Sequence, residues 1–174
     1  SNRGIGRSIL VALAEQGCDL VAHSRKKSDS FENFIRKISL EKKTSIKPLY
    51  FDLREPDEIY SSIANLIKDK VSFDILINCA AVIHGGLFQM TKIKSIKEVF
   101  DVNFFGMLEV TQLVSKTMVR NKSGSIINIA SVAGLDLLQG NCAYGTSKAA
   151  VIAFSKTLSF ELGKYGIRVN CVAP

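Results

Sequence analysis

Two rhythms alternate along the 174 residues. Ile5, Ile9, Ala12 and Leu13 recur at helical spacing behind a glycine-rich opening, and Gly17 marks the stop. Residues 19–24 read as a strand. Phe31, Phe34, Ile35 and Ile38 then stripe a helix running to Leu40. Residues 46–52 are strand-like again, with Pro48 near the start. Glu55-Pro56 opens a helix with proline in its first turn, carrying Ile59, Ile63, Leu66 and Ile67. Residues 73–78 form a short apolar run with a polar end, as in a parallel strand buried on both faces. A loop over 80–89 comes next, marked by Gly85-Gly86. Residues 96–121 then predict one long helix, apolar over more than one face and so buried against a partner as well as a sheet. A strand closes at Ser131, a helix runs from Ala143 to about Tyr165, and residues 167–172 are the last strand. Regular alternation of strand and helix predicts an α/β fold, a doubly wound parallel sheet with right-handed crossovers. A flavodoxin-like sheet is the alternative, and it would make the glycine turn a mononucleotide site.

The candidate chemistry lies between Ser131 and Lys148. Tyr144 and Lys148 are four residues apart, so on a helix they share a face. A phenol with a reference pKa near 10 exchanges protons poorly at neutral pH. An ammonium one turn away favours the phenolate. Ser131 ends an apolar run, where open α/β sheets place their chemistry. At the other end of the chain, the Gly4-Ile5-Gly6 turn feeds a helix N-terminus, whose N–H groups and dipole suit a phosphate.

Composition narrows the field. One domain is expected at this length, and 47% hydrophobic residues are enough for a core. No apolar run reaches the ~18 residues of a membrane span. The net charge of +7 comes from scattered lysines and arginines without interleaved aromatics, which argues against nucleic acid and for small phosphate-bearing ligands. Cys18, Cys79, Cys142 and Cys171 have no metal-site or disulfide spacing. Free thiols are expected, buried at Cys79 and Cys171, in a reducing cytoplasm. No metal is expected.

Taken together, these stretches resemble the short-chain dehydrogenase/reductase family, and within it the 3-oxoacyl-(acyl carrier protein) reductase-like members. Ser1-Asn2-Arg3-Gly4-Ile5-Gly6 is similar to the family's Gly-x-x-x-Gly-x-Gly loop with its first glycine missing. Asp52, with Leu53 beside it, matches an aspartate that contacts adenine. Asn78-Cys79-Ala80-Ala81 matches the family's Asn-Asn-Ala-Gly. Asn103, Ser131, Tyr144 and Lys148 match the four catalytic positions. The resemblance implies a Rossmann-type fold and hydride transfer between a nicotinamide cofactor and a small carbonyl or secondary alcohol. Ser131 would bind the substrate oxygen and Tyr144 would exchange its proton. Lys148 would hold the nicotinamide ribose, and Asn103 would hold a water that renews the proton.

The end of the second family strand reads His23-Ser24-Arg25, with no carboxylate for a ribose diol. Arg3 and Arg25 would instead clamp a 2′-phosphate, so NADP(H) is expected. The cofactor set by resemblance is Ser1, Asn2, Arg3, Gly4, Ile5, Arg25, Asp52, Leu53, Asn78, Cys79, Ala80, Tyr144 and Lys148. Leu135, Leu137 and Leu138 suggest an apolar substrate site, and the resemblance implies an acyl carrier protein thioester as substrate. A sugar, a steroid or another small alcohol is the alternative substrate. A non-catalytic binding or self-association module is the alternative role. The family commonly pairs into dimers or tetramers through the helices at 96–121 and 143–165. By resemblance the chain is one cofactor-binding domain, 1–174, incomplete at both ends: the first strand, the lid and the last strand are missing. Alone it is expected to be inactive. Ala81 replaces a glycine and would be strained if its φ were positive.

Overall fold

The structure is a computed structural model and describes residues 3–136 and 138–174. The chain divides into two compact units, Ser1–Asp52 and Leu53–Pro174.

In the first unit, helix α1 (Gly4–Glu15) leads to strand β1 (Leu20–Ser24), helix α2 (Asp29–Lys42) and strand β2 (Ile46–Tyr50). The two strands pair in parallel, Leu20 opposite Ile46 through Ser24 opposite Tyr50. Parallel pairing needs a crossover, and α2 supplies it. Its ends are well marked: Ser28 accepts from the Phe31 amide at 3.3 Å, Asp29 and Glu32 sit in the first turn, and Lys42 sits in the last. Phe31, Ile35 and Ile38 bury its apolar stripe with Leu10 and Ala14 of α1 and Ala22 of β1. Gly17 comes after α1 at φ +77°, a conformation that costs glycine nothing.

The second unit begins with helix α3 (Pro56–Lys68), strand β3 (Ile75–Asn78) and helix α4 (Ile93–Phe100). Helix α5 (Gly106–Asn121), strand β4 (Gly124–Ile129), helix α6 (Cys142–Gly163) and strand β5 (Ile167–Val172) complete it. The three strands lie side by side in the order β3-β4-β5, all parallel. Asn78, Asn128 and Cys171 share one row across this sheet. One core gathers Met107, Ala130 and Val151 with Phe104, Phe154 and Cys171. α3 packs on α5 with Ile59, Ile63 and Leu66 buried.

The element types agree with the alternation in the sequence, and every strand pair is parallel. The long helix expected over 96–121 differs. It starts earlier, at Ile93, and widens into a π-helical turn at Asp101–Phe105 before continuing as α5. The Gly106 amide bonds the Asp101 carbonyl, five residues back. Such a turn inserts one residue and rotates the rest of the helix about its axis. At Gly106, directly after the turn, a Cβ would lie 2.2 Å from the Leu53 carbonyl oxygen, so helix and chain meet backbone to backbone. Cys79 and Cys171 are half-buried, not buried as expected, because both sit near strand ends; all four cysteines are free. Among the described residues, no helix is long and apolar enough to cross a membrane.

Candidate active site

The carboxyl ends of β3, β4 and β5 gather most of the chemistry in the second unit. β4 ends at Ile129, and Ser131 stands just beyond it in extended backbone, its hydroxyl accepting from the Ala133 amide at 3.3 Å. This small cap turns the chain into a 3-10 turn, Val132–Gly134. Gly134 there allows close packing. A Cβ would lie 2.7 Å from both the Ala149 nitrogen and the Lys148 carbonyl carbon. The segment after Ser131 therefore rests directly on the backbone of α6.

Tyr144 is the third residue of α6, and Lys148 is one turn further on. Lys148 is 2% exposed. Its Nζ donates to the Ile129 carbonyl at 2.7 Å and stands 5.9 Å from the Tyr144 ring centroid. The ammonium is thus fixed between the end of β4 and the phenol, on the face the four-residue spacing requires. Burial pushes Lys148 below the usual lysine range, while Cys79 and Cys171 pull the other way. Burial likewise pushes the Cys79 thiol up, and the nearby Lys148 charge pulls it down.

Asn103 is 2% exposed and projects inward from the π turn. Its Oδ1 accepts from the Val82 amide at 2.8 Å, and its Nδ2 donates to the Val82 carbonyl at 2.9 Å and to Ser147 Oγ at 3.0 Å. Both amide hydrogens are used, so the side chain is a clamp on the loop after β3. Asn78 is committed as well. Its Nδ2 donates to Thr111 Oγ1 at 2.9 Å and to Asn128 Oδ1 at 2.8 Å. Cys79 and Ala80 come after it at the strand end. Ala81 is not among the residues with positive φ, so the strain feared for it does not arise. Leu135 and Leu138 are 61% and 69% exposed, an apolar rim beyond Ser131. Leu137 lies outside the described residues.

In the first unit, α1 starts at Gly4, φ +53°, after the extended Arg3. It has neither a side-chain cap nor an acidic residue in its first turn, in contrast to α2. The positive end of its dipole thus meets no side-chain cap from Arg3 and no carboxylate of its own first turn, which suits a phosphate. Ser1 and Asn2 lie outside the described residues. At the end of β1, the Ser24 hydroxyl donates to the Lys26 carbonyl, and no carboxylate stands at 23–25. His23 stacks on Phe51 at 4.1 Å, and its Nε2 bonds the Phe51 carbonyl, one residue before Asp52. Burial holds His23 below the ordinary histidine range. Taken separately, the first unit offers an uncapped helix end of the kind that suits a phosphate, and the second holds a buried lysine beside a phenol.

The family model for short chain dehydrogenases matches residues 1–174. The chain belongs to the short-chain dehydrogenase family. A 3-oxoacyl-[acyl-carrier-protein] reductase of Synechocystis is 33% identical over 174 residues, which cover all of this chain and 70% of that one. Among solved structures, an NAD+-bound xylitol dehydrogenase superposes with a TM-score of 0.93 at 27% identity, covering 99% of this chain and 66% of its own. A gluconate 5-dehydrogenase of Burkholderia cenocepacia, in complex with NADP and tartrate, gives a TM-score of 0.93 at 27% identity over 68% of its chain. The chain thus spans about two thirds of the length of these short-chain dehydrogenases, and the Rossmann-type fold class is shared with them.

Reading the sequence missed Ser147, Asn128, Thr111 and Ser155, all buried and hydrogen-bonded near the site. Only Asn128 carried a signal, as a lone amide inside the apolar run 126–130.

Proposed function

We propose that the protein is an NADP(H)-dependent oxidoreductase that interconverts a carbonyl and a secondary alcohol, with 3-oxoacyl thioesters of an acyl carrier protein as the favoured substrates. The observation that carries this reading is the buried Lys148 ammonium, held by the Ile129 carbonyl at 2.7 Å and set beside the Tyr144 ring. A surface lysine would gain little there. A buried one has lost hydration and needs a task that repays it.

When bound, the nicotinamide supplies or accepts the hydride. Tyr144 donates its phenolic proton to the substrate oxygen in the reductive direction and takes it back in the oxidative one. Ser131 hydrogen-bonds the same oxygen and orients it. Lys148 uses one hydrogen on Ile129, and its others hold the nicotinamide ribose. Asn103 has both side-chain N–H groups engaged, so the water it holds binds its carbonyl oxygens. On the cofactor side, Ser1, Asn2, Arg3, Gly4 and Ile5 take the phosphates. Arg25 with Arg3 takes the 2′-phosphate, and Asp52 with Leu53 takes the adenine. Asn78, Cys79 and Ala80 contribute backbone, since the Asn78 amide hydrogens are already used in the sheet. In this reading residues 1–174 act as one cofactor-binding domain of a cytoplasmic homo-oligomer. Phe160, 85% exposed on α6, supports pairing through that helix. The exposed Leu135 and Leu138 favour an acyl chain over a sugar.

The test is NADPH oxidation by the full-length protein against acetoacetyl thioesters, sugars and steroid ketones. Tyr144→Phe should lower kcat/KM by roughly a thousandfold, and Arg25→Asp should lower the NADPH-over-NADH preference by about tenfold or more. Full activity of Tyr144→Phe would remove the enzymatic reading. An unchanged preference in Arg25→Asp would remove the NADP assignment alone.

A further inference from the structure

Four groups form one hydrogen-bonded chain in the second unit: the Val82 peptide, the Asn103 amide, the Ser147 hydroxyl and the Tyr144 carbonyl. Ser147 Oγ lies 3.0 Å from Asn103 Nδ2 and 2.7 Å from the Tyr144 carbonyl oxygen. The direction of every bond is fixed by chemistry. Flipping the Asn103 amide would set its NH2 against the Val82 N–H and its oxygen against the Val82 carbonyl, so the orientation is determined. Its Nδ2 can then only donate to Ser147. The single Ser147 hydrogen must go to Tyr144. Ser147 is 0% exposed, so no solvent replaces either partner.

The π turn is what brings Asn103 to this position, and π turns of this kind recur at functional sites. The chain joins two pieces that regular structure leaves unjoined: the loop after β3, and the first turn of α6 that bears Tyr144. We propose that Ser147 is a positioning residue that locks the Val82 loop to the Tyr144 turn and so holds the proton-donating phenol in place. The proposal rests on the reading of Tyr144 as the proton donor.

A second buried serine on the same helix serves as the control. Ser155 is 3% exposed, accepts from Asn128 Nδ2 at 2.9 Å and donates to the Val151 carbonyl at 2.7 Å. It makes the same two kinds of bond but touches no loop. Ser147→Ala and Ser155→Ala in the full-length protein should lose similar thermal stability. Ser147→Ala alone should lower kcat by about tenfold with cofactor KM little changed. It alone should speed exchange of the Val82 amide by about tenfold or more. Ser147→Cys, with a weaker donor and acceptor in the same place, should fall between. It decides the matter by comparison with Ser155→Cys should Ser147→Ala not fold. Equal kcat losses at the two serines, or unchanged Val82 exchange, would overturn the proposal. Faster Val82 exchange in Ser147→Ala, together with an active Tyr144→Phe, would keep the lock and remove only the role given to the phenol.

Discussion

Two buried polar networks in the second unit use the same parts for different ends. The inner one runs from Ser155 through Asn128 and Asn78 to Thr111, with links of 2.9, 2.8 and 2.9 Å. Both of its ends close on carbonyls within their own helices, Val151 for Ser155 and Met107 for Thr111. It ties α5, β3, β4 and α6 to one another and leads nowhere else. The outer one runs from Val82 through Asn103 and Ser147 to Tyr144, and it ends on a loop and on the turn that carries the phenol. An amide and a serine hydroxyl appear in each. The difference is what the ends hold. A network closed on regular structure contributes stability and specifies strand register. A network with one end on a loop, and the other on the helical turn that carries the phenol, transmits position, and its loss should appear in rate before it appears in folding.

The largest expected effect belongs to the inner network. Asn128 is 0% exposed, and Asn128→Leu would strand one Asn78 hydrogen and one Ser155 lone pair away from water. A buried polar group left without a partner costs about 1–3 kcal/mol. The variant should lose about 3 kcal/mol of unfolding free energy in urea, with unchanged m-value. A loss no greater than that of a surface substitution would mean the inner network carries no stability, and the contrast between the two would collapse.

The difference between the networks also explains what the sequence could and could not disclose. Tyr144, Lys148 and Ser131 were legible because their logic is local: a four-residue spacing and the end of an apolar run. Strand and helix types were legible for the same reason. The π turn was not. Nothing in Asp101-Val102-Asn103-Phe104-Phe105 differs from an ordinary helix, and the close approach of Gly106 to Leu53 beside it joins residues far apart in the chain. Ser147 looked like any helical serine for the same reason: its partner lies 44 residues away. Asn78 read as a cofactor residue by its place in the motif, and nothing in the sequence showed that its side-chain amide bonds Asn128 and Thr111.

A smaller effect is expected where the outer region meets α6. Gly134→Ala places a methyl 2.7 Å from backbone atoms of Lys148 and Ala149, neither of which can rotate away. The 3-10 turn must lift, at a cost of about 1–3 kcal/mol. Because the turn begins directly after Ser131, its shift should also lower kcat by at least about tenfold. Thermal unfolding and steady-state kinetics on the full-length variant would measure both. Lost stability with intact kcat would show that Ser131 is not held through this contact, and would sharpen the distinction by confining positional control to the Asn103–Ser147 chain.

The smallest effect separates the two regions by charge. The inner network, Ser155, Asn128, Asn78 and Thr111, contains no titratable side chain, whereas the outer region contains Lys148. Burial lowers Lys148 from the ordinary value of 10.5. Between the lowered value and 10.5 the unfolded chain holds the proton and the fold does not, so the unfolded state binds more protons there. Stability contributed at Lys148 therefore rises as pH climbs through that window. Below it, both states are protonated and the fold bears the full cost of a buried charge. Lys148→Met removes the titration, and other lysines cancel in the difference. Urea unfolding of parent and variant from neutral pH to 10.5 should show the parent gaining on the variant toward the alkaline end. A gap that stays constant, or moves the other way, would mean that the ammonium is not held in a dehydrated setting. Lys148 would then have no lost hydration for a catalytic task to repay.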